Sequence, residues 1–145
     1  MDKPFVMLVD DETPFVETLL KRLEKRELNV LPTFSGQEAI EKLGKNRNID
    51  VVVLDVKMPG LDGIETLKEM KKVNPLTEVI MLTGHATVET AIEGMKLGAF
   101  DYLMKPCDIE KLMQKVEEAT GEKRAHEEKI REARVKEAMS KHGVA

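Results

Sequence analysis

The stretch VVVLDVKMPG, Val51 to Gly60, runs four apolar residues into an aspartate and, after three more residues, into a Pro-Gly turn. A short continuous apolar run, rich in β-branched residues, marks a strand covered on both faces, as strands of a parallel sheet are. The aspartate then stands where the buried strand stops. Near the N-terminus FVMLV, Phe5 to Val9, meets Asp10-Asp11 in the same way. Further β-rich runs are Val30–Phe34, Val79–Leu82 followed by Thr83, and a shorter Asp101–Met104 followed by Lys105.

Between these runs the apolar period becomes helical. Thr13-Pro14 reads as an N-cap with proline in the first turn, and Phe15, Leu19 and Leu23 follow at intervals of four. Gln37–Leu43 forms a second helix that stops at Gly44, and Ile64, Leu67 and Met70 mark a third, ended by Asn74-Pro75. Val88, Ala91, Ile92 and Met95 lie on one face of a fourth, with Gly98 placed as a C-cap glycine. Ile109, Leu112, Met113 and Val116 repeat the spacing in a fifth. Alternating strands and helices force right-handed crossovers, a parallel α/β sheet with helices on both faces, and functional loops at the carboxyl ends of the strands. The expected fold is a (βα)5, doubly wound, five-stranded sheet.

The chain has 145 residues, the size of one domain, with 41% hydrophobic and 34% charged residues. Its net charge of −4 argues against a general affinity for nucleic acid or anionic membrane. The single cysteine, Cys107, excludes an intramolecular disulfide and fits a reducing cytoplasm, and no apolar run approaches a signal or membrane-spanning segment. After Ala119, Thr120-Gly121 interrupts the helical pattern and Glu122–His142 is dense in Glu, Lys and Arg. Residues 1–119 are therefore read as the domain and 120–145 as a charged helical tail or linker.

The strand-end rule sorts the polar residues. Asp10, Asp11, Asp55, Thr83 and Lys105 belong to one edge of the sheet, where an α/β fold places its binding crevice. Asp50 begins the strand that Asp55 ends, so at ~3.3 Å per residue it lies roughly 16 Å away on the opposite edge and is expected to be ordinary surface. Asp101 is excluded likewise. Three carboxylates within a few ångströms repel, each pair by ~1–4 kcal/mol at 4 Å. Protonation is one way to offset this and a divalent cation is the other; an all-oxygen, partly hydrated site suits Mg2+. A cation, the Lys105 ammonium and the Thr83 hydroxyl would together receive a dianionic group such as a phosphoryl. Asp55, on the central strand, is the best-placed nucleophile for an aspartyl phosphate.

LVDDE, VVVLDVKMPGLDG, MLTGHA and YLMKP, in this order and at these separations, resemble the receiver domain of two-component response regulators over roughly residues 4 to 119. The HATVETAIEGMKLGAFDYLMKP stretch is similar to receivers of enhancer-dependent transcription activators. The resemblance implies a flavodoxin-like strand order 2-1-3-4-5, Asp55 as phosphoacceptor, Asp11 as a direct Mg2+ ligand and Asp10 as a mostly water-mediated one. It implies that Lys57 lends its backbone carbonyl to the metal and that Thr83 and Lys105 bind phosphoryl oxygens. It further implies that Tyr102 is the switch aromatic, that the Lys105–Pro106 bond is cis, and that Lys57 and His85 sit where phosphate lifetime is tuned. The implied partners are a sensor histidine kinase, a downstream protein and a second copy of the chain meeting through the fourth helix, fifth strand and fifth helix or through the tail; direct contact with nucleic acid or membrane is not expected. The implied role is a phosphoacceptor switch, not an enzyme acting on other substrates. A phosphatase of the haloacid dehalogenase type shares the doubly wound sheet but carries a general acid two residues past its nucleophile, where this chain has Lys57.

Overall fold

A computed structural model describes residues 2–56, 62–84 and 87–141. The elements alternate without exception: β1 (Phe5–Val9), α1 (Thr13–Glu24), β2 (Asn29–Thr33), α2 (Gly36–Lys45), β3 (Val51–Leu54), α3 (Gly63–Val73), β4 (Glu78–Thr83), α4 (Val88–Lys96), β5 (Asp101–Met104) and α5 (Ile109–Lys141). All pairings are parallel, and the strands stand in the order β2-β1-β3-β4-β5, as expected for the flavodoxin-like arrangement.

The period-two alternation of each strand feeds two cores. Val6, Leu8, Val51, Val53, Ile80, Leu82 and Leu103 face α1 and the first turns of α5. Met7, Val9, Val52, Leu54, Val79 and Met81 face α2 and α3. The β3 residues are 0–4% exposed, which is why the sequence there has no polar alternation.

Local chemistry sets the helix starts. Ser35 and Asp62 accept hydrogen bonds from the Glu38 and Glu65 amides, and Thr87 forms a capping box with Thr90. The expected Thr13 cap is not one: Glu12 is the N-cap residue, without a side-chain cap, and Thr13 and Pro14 form the first turn. Gly44 lies inside α2, which runs on to Lys45.

Packing decides two further features. The apolar face of α4 points outward, with Val88 73%, Ile92 50% and Met95 46% exposed. The helix meets the sheet through Gly94 instead, where a Cβ would come within 2.0 Å of Met81 Cε, so the missing side chain makes room for the Met81 thioether. Likewise Thr120-Gly121 does not interrupt α5, which is continuous for 33 residues. Thr120 back-bonds to the Val116 carbonyl at 2.7 Å, and the ~1 kcal/mol cost of one helical glycine is small beside what the next turn gains.

That gain is an ion network under the amino edge of the sheet. Asp50 is not ordinary surface but 3% exposed. Its carboxylate accepts from the Phe5 amide at 2.8 Å, Lys123 Nζ at 3.2 Å, and Arg124 Nε and Nη2 at 3.3 and 3.1 Å. Arg124 also donates to the carbonyls of Asp2 and Lys3, and Lys123 pairs with Glu127 at 3.1 Å. Asp101, on the same edge, pairs with Lys115 at 3.0 Å. None of the described helices is long and apolar enough to cross a membrane.

Candidate functional site

The carboxyl edge is built from the ends of β1, β3, β4 and β5. Asp10 and Asp55 each follow a buried strand and are drawn in by the ladder itself, since the Asp10 amide donates to Thr33 O at 3.3 Å and the Asp55 amide to Val9 O at 2.9 Å. Gly63 lets α3 start directly against this corner. A Cβ there would sit 2.2 Å from Val56 Cα, and the Gly63 amide donates to Val56 O at 2.7 Å.

Carboxylate oxygens of Asp10, Asp11 and Asp55 lie within 4.8 Å of one another, Asp10 and Asp55 buried and Asp11 exposed. Lys105 reaches into the group: its Nζ is 2.6 Å from Asp10 Oδ2, 3.9 Å from Asp55 Oδ2 and 3.4 Å from Glu12 Oε1. Its root is fixed by its amide, which donates to Thr83 O at 2.9 Å, and the following Lys105–Pro106 bond is cis. Thr83 is the last residue of β4, fully buried, and pairs in register with Met104.

Burial, and then the Asp55 charge, raise the Asp10 carboxyl above its ordinary value against the opposing pull of Lys105 and the Glu12 amide. Burial alone would lower the Lys105 ammonium, but the hydrogen bond and charge of Asp10, with Asp55 and Glu12, outweigh it and hold the ammonium above its ordinary value. Among the described residues the cation that reaches these three carboxylates is the Lys105 ammonium. An octahedral cation at 2.0–2.1 Å from its ligands brings neighbouring oxygens to about 3 Å and opposite ones to about 4 Å, a span that these three side chains match with little adjustment. The donor set is all oxygen, which suits a hard divalent ion.

Sequence reasoning thus brought five residues to one edge, and four of them, Asp10, Asp11, Asp55 and Lys105, meet in one cluster. Thr83 borders it through the Lys105 backbone. Tyr102 lies two pairs down β5 from the Thr83–Met104 pair, opposite Met81 on the α3 side of the sheet, and its buried hydroxyl finds no hydrogen-bond partner among the described residues. Lys57 and His85 lie outside the described residues. Sequence reasoning missed Glu12 and Phe15, both in contact with Lys105; the acidic run DDE was a signal for the first, and nothing in the pattern set Phe15 apart from its neighbours on α1.

The family described as response regulator receiver domain matches residues 6–117. The transcriptional regulatory protein ZraR of Escherichia coli O157:H7 is 40% identical over 114 residues, 79% of this chain and 26% of the relative. The DNA-binding transcriptional regulator NtrC of Escherichia coli K12 is 35% identical over 119 residues, 82% of this chain and 25% of the relative. The chain therefore spans about a quarter of the length of these curated relatives. Among solved structures, a response regulator receiver domain protein from Clostridium thermocellum superposes with a TM-score of 0.81 at 36% identity, covering 84% of this chain and 98% of that one. A CheY-like receiver domain protein from Methanospirillum hungatei JF-1 gives 0.79 at 27% identity, covering 86% and 98%. With fold, strand-end carboxylates and sequence in agreement, the chain belongs to the response regulator receiver domain family.

Proposed function

We propose that the chain is a phosphoacceptor switch that takes a phosphoryl group from a histidine kinase onto Asp55. The observation that carries this reading is the meeting of Asp10, Asp11, Asp55 and Lys105 at one edge of the sheet. Asp10, Asp11 and Asp55, with the Lys57 carbonyl, would hold a Mg2+ ion, which would supply charge neutralisation for the phosphoryl oxygens. Asp55 contributes the attacking carboxylate oxygen: a P–O bond forms there while the donor's P–N bond breaks, and its electron pair leaves with the imidazole. Lys105 pairs with one phosphoryl oxygen, and the Thr83 hydroxyl donates to another. Lys57 and His85 occupy the sequence positions at which the resemblance implies that the lifetime of the acyl phosphate is tuned.

The response passes to the α4–β5–α5 surface. The buried, unpartnered Tyr102 hydroxyl carries a cost of about 1–3 kcal/mol, which a position that satisfies the hydroxyl would relieve. Movement of Thr83 toward the phosphoryl favours that position, and only such differential contact can shift the populations. Residues 1–119 are the receiver unit and 120–145 its helical tail or linker, acting in the cytoplasm. Acetyl phosphate or beryllofluoride added with Mg2+ to wild type and to Asp55→Asn is the test; equal responses would refute the assignment.

The outward apolar face of α4, with Met104 of β5 49% exposed beside it in the sequence order of the fold, favours a second reading. In it the chain is the N-terminal regulatory part of a longer transcription activator and associates with a second copy or a partner protein through this face or the tail. Sedimentation with and without beryllofluoride, on the full chain and on a version ending at Glu128, which keeps Lys123, Arg124 and Glu127, distinguishes these; unchanged monomers would remove the second reading.

A further inference from the structure

We infer that Phe15 is a positioning residue for the Lys105 ammonium, which it holds within reach of Asp55 when metal occupies the carboxylates; this rests on the phosphoacceptor reading above. The Phe15 ring centroid lies 4.0 Å from Lys105 Nζ, inside the range in which the negative face of an aromatic ring attracts a cation. Pro14 in the first turn of α1 fixes the backbone beside it, and Phe15 is half-buried against the core that α1 and α5 share.

The other contacts of the ammonium are conditional. Its shortest partner, Asp10 Oδ2 at 2.6 Å, belongs to the group that a divalent cation would claim, and so does Asp55. Loading that cation removes negative charge from Lys105 and sets like charge beside it. Glu12 is not in the cluster, but its side chain is 61% exposed and 3.4 Å away, so water screens it. A lysine released from its partners regains many rotamers and leaves for solvent. The ring is neutral and ligates no hard cation, so its hold survives loading. The Lys105 root is anchored through its amide to Thr83 O, leaving only the side-chain stem to be directed. With Nζ 3.9 Å from Asp55 Oδ2, a stem kept against the ring needs little movement to meet a phosphoryl group on that oxygen.

The test uses the full chain and two readouts. In proton NMR the Lys105 ε-methylene resonances of the metal-free protein should be shifted upfield by the ring, the shift should persist at saturating Mg2+, and Phe15→Leu should abolish it. Return of these resonances to ordinary lysine positions on adding Mg2+ to wild type would overturn the proposal. In titrations at saturating Mg2+, Phe15→Leu should weaken beryllofluoride binding by about three- to tenfold, the range expected of a partly exposed cation–π contact. Mg2+ affinity should stay within about twofold, and Phe15→Tyr, which keeps the ring, should restore beryllofluoride binding. Equal beryllofluoride affinity in Phe15→Leu and wild type would overturn the proposal, as would parallel loss of Mg2+ and beryllofluoride binding. Asp55→Asn separates the two levels: if it responds like wild type the phosphoacceptor reading fails, whereas a silent Asp55→Asn beside an unaltered Phe15→Leu removes Phe15 alone.

Discussion

Asp50 and Asp55 stand at the two ends of the same strand and are equally buried, each 3% exposed, yet their surroundings are opposite in kind. At the amino end of β3 the buried acid meets its counterparts within the chain: Asp50 and Glu127 face Lys123 and Arg124. At the carboxyl end Asp10, Asp11, Glu12 and Asp55 gather near the ammonium of Lys105, the cation that the described residues bring there. Burial of an acid is common to both, so burial does not mark a site. What separates them, among the described residues, is composition: at the amino end two cations meet two acids, whereas at the carboxyl end several acids share an edge that can receive an ion and a ligand.

The sharpest way to break this comparison is to remove each acid in turn. Asp55→Asn should reduce phosphoryl incorporation from acetyl phosphate and Mg2+ to background, measured by intact mass, while Asp50→Asn should incorporate as wild type does. Stability should respond in the opposite sense. Asp50→Ala leaves buried Lys123 and half-buried Arg124 without their shared partner and should cost about 3 kcal/mol in urea unfolding, the low end of the range for broken buried pairs because Glu127 remains and Arg124 is partly exposed. Asp55→Ala relieves repulsion and should leave the metal-free protein unchanged or more stable by about 1 kcal/mol.

Mg2+ sharpens the contrast further. At about 100 times its dissociation constant it should stabilise wild type by ~2.7 kcal/mol, read as a raised thermal midpoint that chelation reverses. Asp50→Ala should retain that increment in full, and Asp11→Ala should lose most of it. The smallest effect concerns a second acid on the amino edge. Glu78, at the start of β4, is pushed above its ordinary value by burial, against the pull of Lys71 and His126. Its neutral form is the one the fold favours, so its contribution is complete below the ordinary glutamate value and is lost as pH rises through the raised one. Glu78→Gln should therefore gain on wild type as pH rises toward neutrality and show no such gain in acid; a gain independent of pH would contradict this.

Much of this molecule was legible in its sequence, for reasons that also explain the rest. Strands covered on both faces cannot alternate, so Val51–Leu54 announced itself, and the strand-end rule then gathered Asp10, Asp11, Asp55 and Lys105 without further information. The Asp50 network was hidden because its partners lie more than seventy positions away, in a segment whose charge density reads as solvated. On α4 the spacing of Val88, Ile92 and Met95 gives an apolar face but not its direction; Gly94 decides that, and only beside Met81. Phe15 looked like one more core residue of α1 because a ring above a lysine from β5 leaves no periodic trace.

The unbroken α5 has a mechanical consequence. Its 33 residues make a rod about 50 Å long at 1.5 Å per residue, clamped at its middle by Arg124. From that clamp to Lys141 is a lever arm of ~25 Å, on which a tilt of ~5° displaces the tip by about 2 Å. A rotation too slight to disturb the packing of the body thus becomes, at the far end, a step the size of half a side chain.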